Sequence, residues 1–282
     1  SKNLGQHNQE GVNKSALHGI FLELINYLIF LCIGLFVVNK FMKTQTNIAE
    51  IVDSGTTYLR IVCICSFGIF TQVSFERLLQ STGKTLLSMT TQLTGAIINI
   101  ILDPILIFGL FGMPKLGIAG AAIATVIGQI IAGIFAVVLN IKKNKEIHLH
   151  LKGFKLEKKY IGRILYVGVP SVLMVAIGSV MSYGMNLILM TFSSTAVAVF
   201  GAYYKLQSFV FMPIFGLNNG MVPIVSFNLG AKNKDRLVKT VKLGVCYAVG
   251  IMLIGLVIIQ AMPGTLLKMF NASDQMLTIG VP

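Results

Sequence analysis

The chain carries a succession of apolar runs, each of 18 or more residues, and this pattern constrains its fold more than any motif does. One of them, residues 19–38, reads GIFLELINYLIFLCIGLFVV. A bilayer core of about 30 Å is crossed by roughly 20 helical residues. In hydrocarbon every backbone N–H and C=O must be satisfied inside the segment, so runs of this length span as helices. The spans read as roughly 16–39, 54–80, 87–111, 117–141, 163–191, 197–227 and 240–262, and an eighth begins near 275. Only 12% of the residues are charged, 55% are hydrophobic, and the mean hydropathy is +0.79. A soluble domain is about one quarter charged, and a soluble core would leave most of these runs without a polar face. The fold class is an all-α polytopic membrane protein. Residues 20–38 are too long for a signal-peptide core and lack a cleavage site, so they read as a span.

Charge sets the sidedness. The net charge is +13, yet no aromatic-rich basic groove accompanies it, so no nucleic-acid partner is expected. Of the 23 Lys and Arg, 16 fall in the segments 1–15, 81–86, 142–163 and 228–242. The alternate loops hold four (Lys40, Lys43, Lys115 and Lys268), and Arg60, Arg77 and Lys205 lie within spans. Lys and Arg collect in cytoplasmic loops, which predicts that the first set faces the cytoplasm.

Two of those basic segments resemble each other. SKNLGQHNQE at residue 1 returns as SFNLGAKNKD at residue 226, and Gly19 recurs as Gly244 at the same 225-residue offset. Six spans separate the copies, so both lie on one side of the membrane. The pattern implies parallel repeats of six helices, related by an axis along the membrane normal, which is a transporter architecture. Two copies of a 225-residue unit imply a protein of about 450 residues. The chain is therefore expected to be a fragment that starts after a second helix and stops as a tenth begins. Residues 1–141 would belong to one bundle, 142–162 to a solvated cytoplasmic linker, and 163–282 to the other bundle. The linker's His148 and His150 are too few for a metal site. Cys32, Cys63, Cys65 and Cys246 read as small buried residues rather than disulfide partners.

Charges inside spans are costly and point to function. Asp103, in NIILDPILIFG, has apolar neighbours on both sides. Asn99 precedes it by four residues, so both project from one helix face. Pro104 lacks a backbone N–H and frees the carbonyl of Ile100. Such a face offers oxygen ligands to a hard cation, or a carboxylate to a proton. The next span carries Thr125 in GIAGAAIAT, where Gly117, Gly120, Ala121 and Ala124 permit close helix approach. Thr125 matters only if it faces Asp103. Glu76 and Arg77 lie near the basic-loop end of their span, and Glu23 and Asn26 in the second and third turns of theirs. All four are expected to reach interfacial water or a neighbouring loop.

The 197–227 span contains Pro213, Gly216, Asn218, Asn219, Gly220 and Pro223 and is expected to bend or unwind, as cavity-lining helices of transporters do. Lys205 lies in it beside Tyr203, Tyr204 and Gln207, where it either meets an acidic partner or snorkels outward. Met174, Met181, Met185, Met190 and Met212 flank this region, and Met adapts to apolar ligands of varied shape as readily as it packs or faces lipid. Tyr204, Lys205, Asn218, Asn219 and Met181 are the candidate substrate-cavity residues. There is no phosphate-binding Gly loop, no Ser/His/Asp constellation and no Cys/His metal spacing, so no enzyme activity is expected.

NIILDPILIFG followed by GIAGAAIAT, the two decapeptides, and GLNNGMVPIVSFNLGA together resemble the multidrug and toxic compound extrusion (MATE) transporters, along essentially the whole chain. The resemblance implies twelve helices in two six-helix bundles that alternate between outward- and inward-open states. It implies export of drug-like, often cationic, compounds in exchange for protons or sodium ions, by a monomer in the inner membrane of a bacterium, with no cofactor beyond that coupling ion. Prokaryotic members hold a cation with an Asp of the first helix, an Asn and Asp of the fifth and a Thr of the sixth. The last three match Asn99, Asp103 and Thr125. Another branch carries a Glu in its seventh helix, and residues 163–191 have no acidic residue. Coupling is therefore expected in the first bundle. Two alternatives stand beside this reading: a flippase for lipid-linked oligosaccharides of the same superfamily, and a membrane scaffold or receptor that transports nothing.

Overall fold

The structure is a computed structural model, and it describes residues 1–45, 48–149, 154–269 and 273–281. The described residues are mostly helical with no strand among them. They cluster into two compact units, one essentially Asn3–Tyr160 and the other from Ile161 onward. Among the described residues six helices are long and apolar enough to cross a bilayer, and a seventh crossing arises if one bent pair is a single span.

The first unit begins with a one-turn helix α1 (Lys2–Gly5) and α2 (Gln9–Cys32). A π turn (Ile33–Val37) leads into α3 (Val38–Gln45). Gly34 sits in that turn, where an added Cβ would come within 2.8 Å of Cys63 Cβ. The 54–80 span is two helices, α4 (Ala49–Ile64) and α5 (Phe67–Ser81), bent by 48°. No proline causes the break. Ser66 donates its hydroxyl to the Cys63 carbonyl at 2.8 Å, diverting the chain from the helix ladder, and Gly68 lets α5 lean on its neighbour at Ile130. α6 (Thr85–Phe108) and α7 (Ile118–Lys143) complete the unit, each of about 35–40 Å at 1.5 Å per residue.

α7 is the central helix of this unit. It packs against α4, α5 and α6, and apart from Asn140 its buried residues are small and apolar: Gly120, Ala122, Ala124, Val126, Gly128, Ala132, Gly133 and Ala136. Apolar side chains gain little by leaving lipid for a helix interface, so close van der Waals contact between small residues holds such helices together. A Cβ on Gly128 would lie 2.8 Å from the Gly95 carbonyl oxygen, and one on Gly133 would lie 3.1 Å from that of Gly68. Gly120 meets the Leu106 carbonyl in the same way. Gly117 does not pack: its φ of 56° makes the turn into α7, and nothing lies within 4 Å of its Cβ position.

The second unit holds α8 (Lys158–Phe192), α9 (Ser194–Gly230), α10 (Lys234–Ala261), α11 (Pro263–Lys268) and α12 (Asp274–Gly280). α8 buries no residue. α9 is continuous through Pro213 and Pro223, so the expected unwinding does not occur. Each proline removes one backbone bond, and the remaining ladder carries the helix through. Cys32 and Cys246 are exposed and Cys63 and Cys65 only partly covered, all four unpaired. The expectation of buried cysteines is thereby corrected: a residue in an apolar run is shielded by lipid as readily as by protein.

The repeated decapeptide is a repeated turn. In the first copy His7 takes φ 54° and donates to the Leu4 carbonyl at 3.0 Å, and Asn8 N–H bonds Asn3 O at 2.9 Å. In the second, Lys232 takes φ 56° and donates to Leu229 O at 3.3 Å, and Asn233 N–H bonds Asn228 O at 2.9 Å. Asn8 and Asn233 then cap the following helices, accepting from the N–H of Gly11 at 2.8 Å and Arg236 at 3.1 Å. The motif repeats because one turn geometry launches one helix in each half.

Within the first unit, three basic segments meet at one end. Ser1 Oγ donates to Ser81 O at 2.7 Å, Gln9 Nε2 to Glu146 O at 2.7 Å, and Lys84 Nζ to Lys143 O at 2.7 Å. The described part of the 142–162 segment is docked rather than free. His148 N–H donates to Asn13 Oδ1 at 2.9 Å, while His150 lies outside the described residues. His18, 1% exposed, donates Nδ1–H to Lys14 O at 2.7 Å and accepts the Glu157 N–H on Nε2 at 2.9 Å. Phe154 and Tyr160 close on its ring at 5.0 and 5.2 Å, and Lys14 pairs with Glu157 at 2.7 Å. His18→Ala is expected to speed tryptic cleavage after Lys155, Lys158 and Lys159 roughly tenfold, since one lost buried hydrogen bond costs about 1–3 kcal/mol and cleavage follows the open population. Cleavage at the wild-type rate would mean that His18 does not hold this segment.

Candidate functional site

Three side chains from two helices meet at Asp103. Asn99 and Asp103 stand on one face of α6, and Asn99 Nδ2 donates to Asp103 Oδ1 at 3.3 Å. The same amide lies 3.2 Å from Thr125 Oγ1 on α7. Thr125 gives its own proton to Ala121 O at 2.9 Å, so its lone pairs face the amide. The approach of the two helices is set on both sides of the cluster. Above it, Leu116 and Gly117 N–H bond Leu106 and Ile107 O at 3.1 and 3.2 Å, tying the start of α7 to the end of α6. Below it, Gly128 sits against Gly95. All three side chains are half-buried. Three residues chosen from sequence are thus brought together, with a carboxylate, an amide oxygen and a hydroxyl in one place. Among the described residues no cluster of three or more His, Cys, Asp or Glu could hold a metal.

The substrate-cavity candidates are not brought together. Asn218 lines a groove of 370 Å³ between α9 and α10, with Phe211, Ile214, Phe215, Met221 and Val245. Tyr204, Lys205, Asn219 and Met181 do not line it. Tyr204 stacks loosely on Phe200 at 6.3 Å, and Lys205 and Met181 are exposed.

Glu76 departs from expectation. Expected from sequence to reach interfacial water or a neighbouring loop, it is 5% exposed and accepts hydrogen bonds from Gln72, Thr91 and Gln92. Two of those donors come from α6, which folds back against α5. The legible trace was on α5 itself: Gln72, Glu76 and Gln80 recur every four residues and share a face. Arg77 points elsewhere and donates to Gln80 Oε1 at 2.8 Å.

The MatE family pattern matches residues 1–105 and 170–281. The chain belongs to the MatE family. The matched residues include Asn99 and Asp103 and stop short of Thr125. The chain is 29% identical over 260 residues to the multidrug export protein MepA of Staphylococcus haemolyticus, covering 92% of this chain and 56% of that protein. It is 29% identical over 231 residues to MepA of Staphylococcus aureus strain MSSA476, covering 79% and 50%. The chain thus spans about half the length of these curated relatives. Among solved structures, an outward-facing multidrug resistance MATE family transporter of the MOP superfamily superposes with a TM-score of 0.92 at 22% identity, over 99% of this chain and 62% of that one. A MOP superfamily transporter from Pyrococcus furiosus gives 0.91 at 23%, over 99% and 61%. These likenesses establish the fold: this MatE-family chain is a multi-pass membrane protein.

Proposed function

We propose that the complete protein exports drug-like, often cationic, compounds across a bacterial inner membrane in exchange for entering protons or sodium ions. The Asn99–Asp103–Thr125 cluster carries this reading. It places a carboxylate inside an apolar span together with neutral oxygen ligands and no basic partner, since none of the ion pairs among the described residues involves Asp103. A carboxylate so placed gains a counter-charge by binding a proton or a cation, and that is the requirement for coupling. The basic segments that meet at one end of the first unit would face the cytoplasm. Asn218 and its apolar neighbours would form part of the substrate surface. Their lack of any basic group favours an apolar or cationic compound over an anionic lipid-linked sugar.

The test is efflux of a cationic dye from cells expressing the complete protein. Dye is expected to leave against its gradient, and to stop leaving when an ionophore collapses the ion gradients. Efflux indifferent to the ionophore, or no efflux beside robust flipping of a lipid-linked sugar, would replace this reading.

A further inference from the structure

Glu76 accepts only from neutral donors. Gln72 Nε2 lies 2.9 Å from Oε1, Thr91 Oγ1 lies 2.8 Å from Oε1, and Gln92 Nε2 lies 3.0 Å from Oε2. The helices packed on α5 are α2, α6 and α7. Their titratable side chains are Glu10, Lys14, His18, Glu23, Tyr27 and Cys32 on α2, Asp103 on α6, and Lys142 and Lys143 on α7. None of these is bonded or ion-paired to Glu76, nor is Arg77.

The Thr91 hydroxyl has one proton and two acceptors. It lies 2.8 Å from Glu76 Oε1 and 2.7 Å from the Ser88 carbonyl. Thr91 and Ser88 are both 0% exposed, so water does not supply a second donor there. With the carboxylate ionised, Thr91 O–H donates to Oε1 and the Ser88 contact goes without a proton. With Oε1 protonated, Glu76 O–H donates to Thr91 Oγ1, and Thr91 O–H donates to Ser88 O. Both arrangements use the same heavy-atom positions. One proton can bind or leave without moving a helix.

The same face of α6 continues to the Asp103 cluster. Thr91, Gly95, Asn99 and Asp103 follow at four-residue intervals, and Thr91 lies about 18 Å along the axis from Asp103. Gly95 leaves the intervening space to the Gln72 amide, whose Nε2 is 3.8 Å from the Gly95 Cβ position.

We propose that Glu76 is a second proton-binding carboxylate of the first unit, on the basic-loop side of Asp103, with the Thr91 hydroxyl as the rotor that turns as the proton comes and goes. This rests on reading the protein as an ion-coupled transporter, but its test does not need transport. The probe is the proton alone, followed by pH-difference infrared spectroscopy of the complete protein in lipid. A protonated-carboxyl band is expected in wild type, lost in Glu76→Gln and kept in Asp103→Asn. Thr91→Val keeps Glu76 and both amides; its band is expected to shift, because the protonated group has lost its acceptor. A Glu76→Gln spectrum identical to wild type, or a Thr91→Val band at the wild-type frequency, overturns the proposal. Displacement of the band by sodium at fixed pH would make the site one for a metal ion and overturn it as well. Failure of the coupling reading itself would show differently, as uphill transport by Asp103→Asn with the Glu76 band intact.

Discussion

Asp103→Asn in the complete protein is expected to abolish transport against a gradient while leaving the helices folded and inserted. Exporting a neutral compound against a tenfold gradient costs about 1.4 kcal/mol. One monovalent cation entering down 100 mV supplies about 2.3 kcal/mol. A one-for-one exchange therefore sustains an accumulation ratio of up to about 40-fold for a neutral substrate. A monovalent cationic substrate consumes the same electrical term on leaving, so only the ion's chemical gradient drives it. Asn keeps the size of Asp103 and can still accept from Asn99, which donates at 3.3 Å. It cannot change charge, so ion binding no longer distinguishes two states of the site. The ratio is expected to fall to about one, from the roughly 40-fold ceiling, in proteoliposomes with an imposed gradient. Circular dichroism checks the fold. Wild-type accumulation by Asp103→Asn would take Asp103 out of the mechanism.

The second large effect is at Gly128. A Cβ there would lie 2.8 Å from the Gly95 carbonyl oxygen and 3.5 Å from Asn99 Cβ. The first contact is to backbone, which cannot rotate away. Gly128→Ala is expected to destabilise by about 1–3 kcal/mol, although Ala is the better helix former by about 1 kcal/mol. Gly128→Leu is expected to leave no folded protein. Gly19→Ala is the contrast: nothing lies within 4 Å of its Cβ position, so it is expected to be neutral or stabilising. Thermal melting in detergent reads the sign of each. Equal stability of Gly128→Ala and wild type would show that α6 and α7 do not meet as closely as the site requires. Because Thr125 reaches Asn99 only across this approach, Gly128→Ala also tests the cluster's geometry without substituting any of its ligands.

Much of this was legible in the sequence, for identifiable reasons. Apolar runs mark spans because lipid demands them. The i, i+4 spacing of Asn99 and Asp103 puts both on one face of any helix. Pairing with Thr125 was legible only through the family resemblance, since nothing local fixes which face of α7 meets α6; the Leu116 and Gly117 hydrogen bonds decide that. The break at Cys65–Ser66 was hidden because its cause is a serine side chain bonding backwards, and not proline. The burial of Glu76 was hidden because Thr91 and Gln92, which enclose it, stand 15 and 16 positions later in the chain. His18 could not be singled out at all, since its partner is a backbone N–H 139 positions away. For α9, expected to bend or unwind, it is the unwinding that fails. Pro213 and Pro223 are strong breaking signals locally, but 37 residues of helix run through them.

Coupling is reciprocal, so the most direct measurement reverses the usual gradient. Wild-type complete protein is reconstituted with cationic dye on one side, no ion gradient and the membrane potential clamped at zero. Proton and sodium movements are then followed with separate probes. Dye moving down its gradient is expected to drive one of the two ions in the opposite direction, uphill, and Asp103→Asn is expected to pass dye without that ion flux. Dye movement by the wild type with no opposing flux of either ion would contradict exchange through the Asp103 site.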